Sequence, residues 1–198
     1  MRTLKALGLT LVAITMCVGA DIDKSELSQD ISYATFGDRG KRVKMVVGAL
    51  PAQLRNSGEF TAFQVAVGTA TGGPELVFNY NHFALLDASG KQIDPANPGD
   101  VASDKEYWGA VENLRVRRPL TTGPYFGGYR PVGSNFYNKD GTIWGGTHLD
   151  NGMFFTDVVF FPKPDDLSGV LTLACFTEGM DKPVEVKFMI PKMNKKKK

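Results

Sequence analysis

The sequence predicts an all-β fold, an antiparallel β-sandwich carrying one short helix and a long insertion rich in glycine and aromatic residues. Three observations lead there. Two-residue hydrophobic alternation recurs in at least six segments from Arg42 onward, the period of strands with a buried face. Gly- and Pro-rich turn sequences separate those segments at short intervals, the punctuation of a sandwich. No βαβ rhythm and no internal repeat is present, which argues against a parallel sheet or a solenoid.

The first twenty residues read as an address. MRTLKALGLTLVAITMCVGA places Arg2 and Lys5 before an uncharged apolar run over residues 6–18 and closes on Val18-Gly19-Ala20. This is the pattern of a secretory signal peptide, residues 1–20, with cleavage after Ala20. The run is shorter than the ~20 apolar residues of a spanning helix. Ile14-Thr15-Met16-Cys17 offers an alternative, because its first two positions resemble a bacterial lipobox. Lipidation of Cys17 would attach the protein to a membrane; Met16, where a small residue normally stands, favours cleavage at Ala20. Either branch implies a periplasmic or extracellular protein.

Charge and cysteine content follow from that reading. The chain of 198 residues is 42% hydrophobic and 22% charged, with formal net charge +2, as in ordinary folded proteins. Two of its 23 basic residues and none of its 21 acidic ones precede Asp21, so the remainder is neutral. Four of the remaining positive charges form the run at positions 195–198. Residues 192–198 are therefore expected to be a basic disordered tail on a mildly acidic domain. A nucleic-acid partner is not expected from this balance. Once the signal is gone Cys175 stands alone, with no intrachain disulfide available. Strand alternation puts Cys175 on the face of Leu171 and Leu173, which predicts a buried, inert thiol.

Residues 21–40 form a polar N-terminal segment with weak helical periodicity near Glu26 and Tyr33. The β domain is expected over residues 41–191. Val43, Met45, Val47 and Ala49 share one face of its first strand. In the next, Thr61, Phe63, Val65 and Val67 oppose Ala62, Gln64 and Ala66. Leu76-Val77-Phe78 is a short strand, Phe83 and Leu85 belong to another, and Asp87-Ala88-Ser89-Gly90-Lys91 is a hairpin turn in which Gly90 takes positive φ. Residues 153–161 are almost wholly apolar or β-branched, so both faces of that strand are expected to be covered. Strands near 169–176 and 184–190 complete the set.

The insertion spans about residues 94–150. Ser103 followed by Glu106 is a capping-box pattern, with Tyr107, Val111 and Leu114 on one face, and predicts a helix over 103–114. Residues 123–146 then hold seven glycines and six aromatic residues. Long irregular loops are often functional, and aromatic side chains stack on sugars or on partner side chains. The candidate ligand-binding residues are Tyr125, Tyr129, Tyr137 and Trp144 as platforms, with Arg130 adding a cation. The competing and favoured expectation is an ordered flap whose aromatics pack on the sandwich.

Catalytic and metal chemistry find little support. His82 and His148 have neither HxxxH nor HExxH spacing, and no CxxC is present. His148, Asp150 and Met153 are too mixed and scattered a set for copper. Val132-Gly133-Ser134-Asn135-Phe136 lacks the second glycine of a hydrolase elbow, and Asp38-Arg39-Gly40-Lys41 is too short for a P-loop. No catalytic residue, metal or cofactor is expected. The function expected is a non-catalytic binding or scaffolding module for a protein or envelope component, with glycan or small-ligand binding through the aromatic loop as the alternative.

One resemblance adds to this. The stretch FTAFQVAVGTATGGPELVFNYNHFALLDASGKQIDP contains a Val-rich strand over 63–67, a turn at Gly72-Gly73, Phe83-x-Leu85 and an Asp87-x-x-Gly90 hairpin. Leu149-Asp150-Asn151-Gly152, the apolar run closing at Pro162, and Leu171-x-Leu173 follow later. Together they resemble the telokin-like, immunoglobulin-fold family of secreted bacterial proteins, in two blocks on either side of the insertion. The resemblance implies an extracytoplasmic, immunoglobulin-like β-sandwich, and it brings no catalytic residues.

Overall fold

The computed structural model describes residues 31–38, 41–49, 51–52, 58–70, 72, 74–104, 108–109, 112, 120–142 and 145–190. The expected signal peptide with Cys17 and Ala20, the basic tail and Trp144 lie outside them. The strands are β1 (Ile31–Asp38), β2 (Lys41–Gly48), β3 (Phe60–Thr69), β4 (Leu76–Phe78), β5 (Phe83–Leu86), β6 (Gln92–Ile93), β7 (Arg130–Pro131), β8 (Thr147–Leu149), β9 (Met153–Pro162), β10 (Leu171–Cys175) and β11 (Val184–Phe188). The short helices α1 (Pro98–Ser103) and α2 (Gly123–Phe126) and a 3-10 turn at Tyr80–His82 interrupt them among the described residues. The fold is all-β.

The strands form a five-stranded sheet in the order β1-β2-β3-β9-β7, a four-stranded sheet β11-β10-β5-β6, and the pair β4-β8. The antiparallel pair β3 and β9 runs in register from Phe60 opposite Pro162 to Thr69 opposite Met153. Alternation sends Met45 and Val47, Phe63, Val65 and Val67, and Phe155, Val159 and Phe161 into one continuous core. Leu85, Leu171, Leu173, Val186 and Phe188 of the four-stranded sheet belong to the same core. Phe63 meets Phe188 of the other sheet edge-on at 5.2 Å between ring centroids, an arrangement that aromatic quadrupoles favour.

Most strand expectations match these elements; β8, inside the expected insertion, pairs with β4 and is not among them, and two further differences stand out. The first strand is β1, inside the segment that reads as polar with helical periodicity. It pairs antiparallel with β2 along its whole length, so backbone pairing outweighs a weak local preference. The second difference is β7, which runs parallel to β9, a short exception to the antiparallel pattern.

The expected helix over 103–114 is met at Trp108, Gly109 and Glu112, while α1 just before it is not among the expected elements. Asn97 caps α1 by accepting from the Gly99 amide at 2.8 Å, with Pro98 in the first turn, where its missing N–H costs nothing. Ser103 closes this helix: its hydroxyl donates to the Asp100 carbonyl at 2.6 Å. The next helical bond runs from the Trp108 amide to the Asp104 carbonyl. Trp108, Gly109 and Glu112 have helical backbone, and the remainder of that stretch lies outside the described residues.

Candidate functional site

The insertion is built into the fold along the free edge of β9. The Arg130 amide donates to the Gly152 carbonyl at 2.7 Å and the Val132 amide to Phe154 at 2.9 Å. Further along, the Ala96 amide donates to the Phe160 carbonyl at 2.8 Å. Between these points stands Asp157, whose carboxylate is an exception among the inward-facing residues of β9 and is only 3% exposed. Its Oδ2 accepts from the Ser134 hydroxyl at 2.6 Å and the Phe136 amide at 2.8 Å, and its Oδ1 from the Val158 amide at 2.8 Å. The Thr147 hydroxyl in turn donates to Ser134 at 2.9 Å. A buried carboxylate is tolerable when several donors surround it. Here those donors fasten the insertion to β9.

That fastening drives Phe136 into the main core. Its ring lies between Phe155 of the five-stranded sheet, at 5.3 Å, and Phe83 of the four-stranded sheet, at 5.8 Å. On the opposite face of β3 and β9 a second cluster forms from Val46, Ala66 and Phe126, with Leu120, Tyr125, Tyr129 and Phe154 against it. Phe126 stacks flat on Phe154 at 4.8 Å. It can do so because position 68 is glycine: a Cβ there would stand 2.5 Å from Phe126 Cε1. Both faces of β9 are therefore covered, and the insertion supplies the outer cover.

The candidate binding residues fall in different places. Tyr125 and Tyr129 are half-buried in the outer cluster. The cation over the Tyr129 ring is Lys44, with Nζ 5.0 Å from the centroid, rather than Arg130. Arg130 is exposed and its guanidinium reaches the Met153 sulfur at 3.4 Å. Tyr137 is 2% exposed, with its ring against Tyr80 and Phe160 and its hydroxyl donating to the Ala96 carbonyl at 3.1 Å. Burial pushes the Tyr137 phenol far up from its usual range. The described residues thus place these tyrosines in two packing clusters and do not bring them together as one exposed platform.

What the insertion does shape is a groove of about 520 Å³. It is lined by Trp108 and Glu112 from one stretch of the chain and by Asn135, Tyr137, Asn138, Lys139, Asp140 and Thr142 from another. Trp108 and Tyr137 both pack on Phe160, the former stacked at 5.7 Å. The polar side is a self-bonded turn in which the Thr142 amide and hydroxyl donate to Asp140 Oδ1 at 3.0 and 2.7 Å. Those hydrogen bonds, the hydroxyl's first, hold the exposed Asp140 carboxyl below the usual carboxylate range. Asn138 Nδ2 donates to Thr142 Oγ1 at 2.9 Å. The Asn-x-Asp-Gly-Thr run that makes this turn is visible in the sequence as side-chain-to-backbone turn chemistry. The partnership of the turn with Trp108 is tertiary and carries no local signal.

The remaining reactive side chains are engaged elsewhere. His82 Nδ1 accepts from the Asn79 amide at 3.2 Å in a capping box, and burial lowers its pKa. His148 Nδ1 lies 3.0 Å from Glu75 on the exposed side of the β4-β8 pair. Cys175 is fully buried, which pushes its thiol up. Among the described residues no group of three or more His, Cys, Asp or Glu is placed to hold a metal ion.

No protein-family model matches the chain, and comparison with curated proteins gives no match. Among solved structures, the chain is similar to the yjhA protein from Bacillus subtilis at 13% sequence identity and a TM-score of 0.34, over 72% of this chain and 76% of that one.

Proposed function

We propose that this protein is an exported, non-catalytic binding module, an immunoglobulin-like β-sandwich of the telokin-like kind, that holds a small polar ligand of the bacterial envelope in the groove of its insertion. The observation that carries this reading is the groove itself, at about 520 Å³ within the size range of small-molecule sites, lined by amide, carboxylate and hydroxyl side chains together with Trp108 and Tyr137. Its rigidity supports the same reading. The wall is bonded to itself, and its base is held by Asp157 and Phe136, so little ordering remains to be done when a ligand arrives.

Export rests on Arg2, Lys5, the apolar run and Ala20. The sandwich reading rests on the two larger sheets sharing one core. A non-catalytic role is supported by the use of Ser134 as a donor to Asp157 and by the separate engagement of both histidines. Scaffolding through a broad apolar face has less support. Phe176, 47% exposed, is the large apolar side chain that stands out among the described residues, and one side chain does not make a docking patch.

The test is a thermal-shift comparison of the parent with Lys139→Trp, a substitution that fills the groove from an exposed wall position. A ligand that binds only the folded state raises the melting temperature. Small-molecule fractions from envelope extracts are expected to raise it for the parent and not for Lys139→Trp. Equal responses from both proteins would move the site away from the groove. Intact mass of the exported protein tests the processing: an N-terminus at Asp21 fits cleavage, an acylated Cys17 fits the lipidated branch, and an intact Met1 contradicts export.

A further inference from the structure

We propose that Met153 is a peroxide-reactive site whose sulfoxide is received by the Arg130 guanidinium, so that oxidation fastens the insertion to β9 instead of loosening the core. Arg130 and Met153 are register partners in the parallel pairing of β7 with β9. The backbone hydrogen bonds to the Gly152 and Phe154 carbonyls hold that register on both sides of Met153. Arg130 Nη2 stands 3.4 Å from the Met153 sulfur. Arg130 is exposed and Met153 half-buried, with the methionine side chain packed against the main core. A small oxidant in solvent therefore reaches this sulfur. Two other sulfurs are shielded, since Met45 is 0% exposed and Met180 6%.

The pair is mismatched before oxidation and matched after it. A guanidinium only donates and a thioether is a weak acceptor, so the contact contributes little while the sulfur is reduced. Peroxide changes the acceptor. A sulfur lone pair attacks one peroxide oxygen, and an S–O bond forms as the O–O bond breaks. The proton left on the transferred oxygen passes to the departing hydroxide, which leaves as water. Sulfur is oxidised by two electrons and the peroxide is reduced by two. A sulfoxide is polar, and in an apolar site it disrupts packing. Here the new oxygen forms within reach of a charged donor that already stands at the sulfur. A hydrogen bond to a charged group is about twice as strong as a neutral one, and it offsets the cost of a polar atom against the core. The same bond ties Arg130, and with it β7, more firmly to β9.

The full chain is treated with hydrogen peroxide, and peptide mass mapping follows each methionine. Met153 is expected to gain one oxygen at least about tenfold faster than Met45 and Met180, because susceptibility follows exposure. At the dose that converts Met153, the melting temperature of the parent is expected to stay level or rise. Arg130→Ala at the same dose is expected to melt about 3 °C or more below its own reduced form, because the sulfoxide then has no charged partner. Arg130→Lys keeps a charged donor and is expected to restore most of that difference. Adding Met153→Leu to either protein should abolish the response, which assigns it to this sulfur. Met153 reacting no faster than Met45 and Met180 would overturn the reactive site. Equal changes on oxidation in the parent and in Arg130→Ala would overturn the role of Arg130, and a response that survives Met153→Leu would overturn both.

Discussion

Phe136→Ala is the sharpest perturbation of the insertion. In a loop that merely lies on the surface, truncating one aromatic residue changes stability by a few tenths of a kcal/mol. Phe136 instead is 1% exposed and bridges the two large sheets through Phe155 and Phe83. Removing a ring from such a site loses its transfer free energy and leaves a cavity, together about 3–5 kcal/mol. For a domain of this size each kcal/mol moves the melting temperature by about 2–4 °C, so a fall of roughly 6–20 °C is expected. Arg130→Ala is the matched control on the same segment, exposed and in contact with the Met153 sulfur, and is expected to stay within about 0.5 kcal/mol of the parent. Thermal unfolding followed by near- and far-ultraviolet circular dichroism measures both, and the two probes should report one transition because insertion and sheets share a core. A Phe136→Ala protein that melts with the Arg130→Ala control would refute the reasoning.

Three further outcomes follow from the same contacts. Asp157→Asn keeps the shape but has one acceptor oxygen, so its amide N–H must face Ser134 and Phe136 or Val158; a loss of about 1–3 kcal/mol is expected in urea unfolding. Gly68→Ala sets a methyl 2.5 Å from Phe126 Cε1, and overpacking of this kind is expected to cost about 1–3 kcal/mol. Burial lowers the pKa of His82 below its ordinary 6.5, so the unfolded chain binds the proton more readily. The His82 contribution to stability is therefore full above pH 6.5 and lost as pH falls below it. The difference between parent and His82→Gln stability is expected to shrink over that interval, and a pH-independent difference would contradict it.

The strands were legible where one or both faces are apolar at a period of two. The stretches Phe60–Thr69 and Met153–Pro162 could be placed almost to the residue, because Phe63, Val65 and Val67 and their partners Val159, Asp157 and Phe155 alternate so regularly. Even the continuous burial of the later strand was readable from its outward Phe154, Val158 and Phe160. β1 was hidden because Ser32, Ala34 and Gly37 dilute its pattern, and its strand state is fixed by pairing with β2. α1 was missed, and Ser103 reads as a helix start because Ser103 followed by Glu106 satisfies the local rule, while its hydroxyl reaches back to Asp100 and closes α1.

The site was less legible than the fold. Composition marked residues 123–146 as unusual, and packing of its aromatics was the favoured outcome, as found for Phe126, Phe136 and Tyr137. Which rings would turn inward could not be read, because an irregular backbone has no period that assigns faces. The groove was missed for a related reason. Trp108 and the 135–142 turn are far apart in sequence and meet only through Phe160. Asp157 was the one available clue, a lone carboxylate at an inward position of an apolar strand.

The central claim is that the insertion is part of the folded core and so presents a preformed groove. Native-state hydrogen exchange of three amides tests it most directly: Ala96 on the Phe160 carbonyl, Val132 on the Phe154 carbonyl, and Phe136 on the Asp157 carboxylate. All three are expected to exchange with the slow class of β3 and β9, opening only with global or near-global unfolding. Exchange as fast as that of the exposed Ser89 turn would contradict the claim.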